Sequence, residues 1–304
     1  MSAPAAVRSA RRRREAAPTT RFDTALGWTR AGAAVTALRW VLVALVVLVF
    51  AVPFLTVVLG AFDASPDATR FTLLPSDLTL QNFVVAGERG VYGFLAHSLV
   101  ILGGGLLLQV AISVLTAYGL ARFRFRGQGV VLVLFLLTMM LPEEVIAVPL
   151  SLVIGDLPVL GTNLRGTVFG VILPVAMWGF SILIMTEFMR DIPKEIEEAA
   201  RLDGVGELRM LLLVILPLCR PALGVVTIFG FMMIWDQYLL PLIAADDPSD
   251  YTLTVALSLL RSDPQVGSGV LLAGALLALV PSLVVYLLMQ RSLVTGITSG
   301  ATKG

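Results

Sequence analysis

The sequence is poor in charge and almost empty of metal-ligating side chains. Asp, Glu, Lys and Arg make up 14% of its 304 residues, against about 25% in an average soluble domain. Cys219 is the one cysteine, so no intrachain disulfide and no cysteine metal cluster can form. His97 is the one histidine, which excludes a paired-histidine metal site. The two lysines, Lys194 and Lys303, follow no loop of the form G-x-x-x-x-G-K-[ST], so the chain cannot hold a nucleotide in that way. A net charge of +1 is uninformative about nucleic acid, and none is expected as a partner. What is abundant is apolar: 57% of residues are hydrophobic and the mean hydropathy is +0.91. Polar groups could not cover a globular surface of this size, and a disordered chain would be charge-rich instead. The class that remains is an all-α, polytopic membrane protein.

Six apolar runs are long enough to span a bilayer: Leu38 to Leu59, Leu95 to Leu120, Val130 to Ile154, Thr167 to Met185, Pro221 to Ile243, and Val270 to Met289. Pro142-Glu143-Glu144 interrupts the third, and Asp236-Gln237 sits near the far end of the fifth. Of the 22 Lys and Arg residues, eighteen fall in residues 1–39, in the loop holding Arg122, Arg124 and Arg126, in the loop from Arg190 to Arg220, and in the tail. Only Arg70, Arg89, Arg165 and Arg261 occupy the alternate loops. That alternation predicts an even number of spans with both termini in the cytoplasm. Residues 1–37 read as a basic, disordered cytoplasmic tail. Their polar lead is too long for a signal peptide, and Arg11 to Arg14 run into Glu-Ala-Ala-Pro, unlike a twin-arginine signal. The six-span body is 38–293, with a cytoplasmic tail at 294–304.

The loop at 187–220, between the fourth and fifth spans, reads as structure. Asp191 and Pro193 form a helix start, and Glu195, Glu197 and Glu198 occupy the first turns, where the helix dipole favours them. Ile196, Ala199 and Ala200 share one small apolar face, and Gly204 is placed to end the helix. Such a face suits docking into a groove on another protein. A helix lying on the membrane surface would carry Lys and Arg rather than five acids between Asp191 and Asp203.

Glu198-Ala199-Ala200, then Gly204, then Leu216-Pro217, resembles the EAA loop of ABC-importer membrane subunits. Val214 stands where the family has isoleucine. Thr79 to Phe83, Ala117 to Phe123 and the tail Gly296 to Gly304 are similar to the carbohydrate-importer permeases, and most of all to the maltose-system G type. His97 departs from the asparagine common among relatives. The resemblance covers roughly residues 78–304. It implies a transport subunit that is not an enzyme and moves a sugar, polyol or glycerol phosphate. Its partners would be an ABC ATPase dimer carrying ATP and Mg, a second homologous permease and an extracytoplasmic solute-binding lipoprotein. Glu198, Ala199, Ala200, Asp203 and Gly204 would be the ATPase-coupling residues.

Glu143 and Glu144 are candidates for the substrate path, since carboxylates accept hydrogen bonds from sugar hydroxyls and Pro142 should unwind the helix beside them. A hydrated pair at the outer membrane edge is the other reading. Trp235, Asp236 and Gln237 combine an aromatic face with polar groups, as does a plain interfacial belt. Trp178 and Gln109 are further candidates, and Gly166 and Gly170 form a G-x-x-x-G pair that could serve a helix contact. Asp246, Asp247, Asp250 and Asp263 suit either a docking surface or an ordinary hydrated loop. An ion-coupled secondary sugar transporter is the alternative function. It would need inverted repeats, none of which is visible, and it leaves the acidic helix without a role.

Overall fold

The computed structural model describes residues 33–64, 77–158 and 161–301, with side chains described over residues 35–290. The arginine-rich segment 1–32, Arg70 and residues 302–304 lie outside the described residues. The chain divides into two units, residues 1–56 and 57–304. In the first, the described part is most of one apolar helix, α1 (Ala33–Ala61).

The second unit is helical throughout its regular elements. These are α2 (Gln81–Glu88), α3 (Val91–Arg122), α4 (Gln128–Met140), α5 (Glu143–Gly155), α6 (Phe169–Ala176), α7 (Gly179–Arg190) and α8 (Lys194–Leu202). They continue with α9 (Glu207–Leu218), which holds a π-helical turn at Met210–Ile215, then α10 (Arg220–Trp235), α11 (Leu239–Ala244), α12 (Leu253–Leu260) and α13 (Ser268–Ala301). Among the described residues the only β-type pairing is an isolated bridge between Asp63 and Leu78.

Four stretches are long and apolar enough to cross a membrane: 35–61, 91–122, 169–190 and 268–290. Two further candidates are bent pairs, α4 with α5 at 109° and α9 with α10 at 82°. Six straight rods are therefore not what forms: the third apolar run bends within itself, and a second bend stands at the start of the fifth. Proline is the cause in both. Pro142 lacks the N–H that would continue α4 and holds Leu141 extended, at φ −81° and ψ 124°. Cys219 sits at the second bend between Pro217 and Pro221. The fourth span also breaks after Pro174, at Met177 and Trp178, and the fifth stops at Trp235 before resuming as α11.

Helix α3 is the hub and packs against α6, α7, α10 and α12. Gly105 on α3 lets Val175 of α6 and Ile234 of α10 approach its backbone. Gln109, fully buried one turn later, donates from Nε2 to Ser181 Oγ on α7 at 3.0 Å. Such interhelical bonds replace water that the apolar surroundings exclude. Ser98 Oγ accepts the Leu253 N–H at 2.7 Å, and His97 Nδ1 lies 3.2 Å from the Tyr251 carbonyl, so both residues tie α3 to the start of α12. Gly166 is in a turn before α6 with φ +68°, so Gly166 and Gly170 do not form one helix face.

Gly230 on α10 faces the same polar pair: a Cβ there would meet Gln109 Oε1 at 2.6 Å and Leu106 Cδ1 at 2.9 Å. Gly230→Val should overpack the α3–α10 seam and cost about 1–3 kcal/mol. A thermal melt of the purified protein in detergent would reveal this, and an unchanged midpoint would contradict the seam's tightness.

Candidate functional site: a cavity at three helix breaks and an anchored loop helix

Three of the breaks meet. The α4–α5 corner, the extended Met177-Trp178 link and the Asp236 to Tyr238 link surround a cavity of about 460 Å³. Its wall includes Pro142, Glu143, Trp178, Met233 and Gln237. A second opening of about 560 Å³ shares Glu143, Trp178 and Gln237 and adds Glu144, Asp236 and Tyr238. Both volumes lie in the range of small-molecule sites. Within a bilayer, irregular backbone is tolerated where it lines such a cavity.

Gln237 joins two of the breaks by donating from Nε2 to Glu143 Oε1 at 3.0 Å. Its own Oε1 is buried and makes no hydrogen bond among the described residues. Glu143 and Glu144 occupy the first turn of α5, where the positive end of the helix dipole steadies a carboxylate. The aromatic wall is Trp178, with Phe180 at 4.8 Å and Phe229 beyond it at 5.4 Å. Of the sequence candidates, Glu143, Glu144, Asp236 and Gln237 come together here. Trp235 lines neither opening. Its ring stacks on Phe231 at 6.0 Å, and its carbonyl accepts from Thr254 Oγ1. Trp178 is the aromatic that reaches the cavity, and its position just past the Pro174 break is the signal for it. Gln109 donates to Ser181 and lines neither opening.

The loop after α7 is built as a separate device. Pro193 starts α8, and Gly204, at φ +79°, ends it. The Gly204 N–H donates to the Arg201 carbonyl at 3.0 Å, and the Val205 N–H to the Ala200 carbonyl at 3.1 Å. That is the Schellman pattern, completed by Ala200 and Val205 packing on one core cluster. Ala200, expected on the docking face, is half-buried and packs against that cluster on one side. Glu198, Ala199, Leu202 and Asp203 are exposed, Leu202 at 89%.

Glu197, adjacent to the EAA residues, turns inward and forms an ion pair with Arg122 at the end of α3, with side-chain exposures of 3% and 4%. Arg122 also donates from Nη2 to the Ile192 carbonyl at 3.3 Å. Close by, the Tyr118 hydroxyl donates to Glu207 Oε2 at 2.6 Å, and Arg201 donates to Glu207 Oε1 at 3.1 Å. That bond and the Glu207 charge hold the Arg201 guanidinium above its ordinary pKa, so it stays charged. Sequence reasoning missed the Glu197–Arg122 pair, because nothing local says which of two adjacent glutamates faces in. Of the aspartates between α11 and α13, Asp247 and Asp250 close a capping box around Pro248–Asp250, and Asp263 pairs with Arg89 at 3.1 Å. Among the described residues, no cluster of three His, Cys, Asp or Glu could hold a metal.

Residues 109–292 match the family described as binding-protein-dependent transport system inner membrane component. The chain belongs to that family. It is therefore a multi-pass membrane protein of the ABC-permease type. It is 35% identical over 268 residues to the probable ABC transporter permease protein YurM of Bacillus subtilis, covering 87% of this chain and 88% of that one. It is 32% identical over 257 residues to the maltodextrin transport system permease protein MdxG of the same organism, covering 83% and 90%. Its fold matches, with a TM-score of 0.74 and 22% identity, a subunit of a bacterial ABC transporter involved in importing the acidic polysaccharide alginate. That match covers 90% of this chain and 98% of the other.

Glu197→Gln should leave Arg122 buried without its counter-charge, at a cost of about 3–5 kcal/mol. Lower melting in detergent and faster trypsin cleavage after Arg201 would register the loss. Glu197→Leu combined with Arg122→Met should recover most of it, since apolar replacement of a whole buried pair is often neutral. A Glu197→Gln protein that melts like the parent would mean the pair is hydrated.

Proposed function

We propose that this permease is one half of the translocation pathway of an ATP-driven importer for a sugar or a related polyol or glycerol phosphate. The reading rests on one pairing within a single chain: a polar cavity at broken helices, and an anchored short helix with an outward face. Glu143, Gln237 and the unbonded Gln237 Oε1 would meet substrate hydroxyls, and Trp178 would lie against the C–H face of a sugar ring. Glu144 and Asp236 would line the approach. Relatives named for maltodextrin transport support the substrate class. Nothing favours the ion-coupled carrier.

Energy would enter through α8. Glu198, Ala199 and Asp203, with the Gly204 turn, would seat in a cleft of a separate ATPase dimer that binds ATP and Mg. The chain itself would be non-catalytic. Because Glu197 ties α8 to α3, movement of the docked helix would reach the core that α3 organises. A second homologous permease and an extracytoplasmic solute-binding lipoprotein would complete the complex, with both termini of this chain in the cytoplasm of a bacterial cell.

Affinity purification from the native membrane should recover an ATPase, a second permease and a solute-binding protein. A stable chain that purifies alone would sink the subunit reading. Glu198→Ala and Gly204→Val should abolish uptake while ATP hydrolysis continues without substrate control. Gly204→Val also strains the helix end by about 1–2 kcal/mol. Normal uptake in both variants would refute docking through α8. Gln237→Ala should raise the KM for uptake by about fivefold, the loss of one hydrogen bond to a neutral hydroxyl. Unaltered uptake kinetics would make Gln237 structural.

A further inference from the structure

A cavity of about 290 Å³ lies where the end of α3, the start of α4 and the α7–α8 corner meet. Arg122, Phe123, Arg124, Gln128, Arg190 and Lys194 form most of its wall, and the wall contains no carboxylate. Two of its cations are already spent, Arg122 on Glu197 and Arg190 on Glu187 at 2.7 Å. Arg124 and Lys194 have no ion-pair partner among the described residues. We propose that this cavity binds the phosphate headgroup of an anionic phospholipid.

Three observations favour a lipid over a free anion or an acidic protein segment. The cavity opens at Leu120 to Arg122, where the apolar run of a helix long enough to cross the membrane gives way to charge, the place a headgroup would occupy. Phe123 and Phe125 are exposed beside it, aromatic rings suited to the membrane interface. Helix α4, which leaves the cavity at Gln128, buries none of its residues and exposes Val130, Val133, Leu134 and Leu137 to take acyl chains. Basic pockets between spanning helices hold lipid phosphates by charge, with the chains supplying apolar anchorage. The position has a consequence for coupling. The headgroup would lie against Arg122 and Lys194, the two residues that tie α8 to α3 and begin α8.

The test uses the purified, delipidated complex exposed to vesicles of equal parts phosphatidylcholine and phosphatidylglycerol, with retained lipid read by native mass spectrometry. The parent should retain phosphatidylglycerol in preference. Arg124→Gln with Lys194→Gln should lose the preference by about fivefold per charge removed. Arg124→Lys with Lys194→Arg should keep it, which separates charge from misfolding. Inorganic phosphate in the wash should leave retention unchanged. Equal retention by the parent and the neutral variant would overturn the proposal. So would loss of the preference in the charge-conserving variant, or displacement by phosphate alone, which would mark a free-anion site. A neutral variant that keeps its lipid and sheds a protein partner would assign the cavity to that partner.

Discussion

Backbone N–H and C=O groups inside a bilayer have no water to bond, so a helix can break there only if it faces protein or a cavity. This constraint organises the molecule. Three spans break, at Pro142, after Pro174 and after Trp235, and the breaks converge on common space. Convergence satisfies the constraint once for all three. It also gathers the freed polar groups: Glu143 at a helix start, and Gln237 in a link between helices. A cavity of this kind has polar directionality in otherwise apolar surroundings, as a sugar path requires.

The far end of the unit meets a different demand. A short helix outside the membrane cannot be stable by propensity alone, since isolated helices of this length are marginal. Helix α8 is held by its surroundings: a Schellman end at Gly204, Ala200 and Val205 against the core cluster, and Glu197 against Arg122. A buried ion pair of this kind adds little net stability over an apolar pair, but it sets one orientation. With Glu197 turned in, Glu198 and Ala199 must turn out. The outward face of α8 is thus defined by what its neighbour buries.

Helix α3 links the two ends. Its middle carries Gly105 and Gln109 against α6, α7 and α10, and its end carries Tyr118 and Arg122 against Glu207 and α8. A tightly packed helix between the cavity wall and α8 is the physical route that the proposed coupling would use. The basic cavity at its end adds a place where membrane composition could bear on that route.

Much of this was legible in the residues. Low charge, six apolar runs and the arginine alternation specify a helical membrane protein, because transfer energetics depend on composition and not on contacts. Pro142 announces its break, and Gly204 its helix end, because each acts through its own backbone. The EAA pattern marks the family for the same local reason. What only the tertiary structure decided is which side chains meet. Trp178 rather than Trp235 reaches the cavity, Glu197 rather than Glu198 is buried, and Ala200 packs against the core cluster on one side. Each choice turns on the rotation of one helix against another. That rotation is set by packing over residues far apart in the chain, Arg122 with Glu197 and Glu143 with Gln237 among them, and no local pattern encodes it.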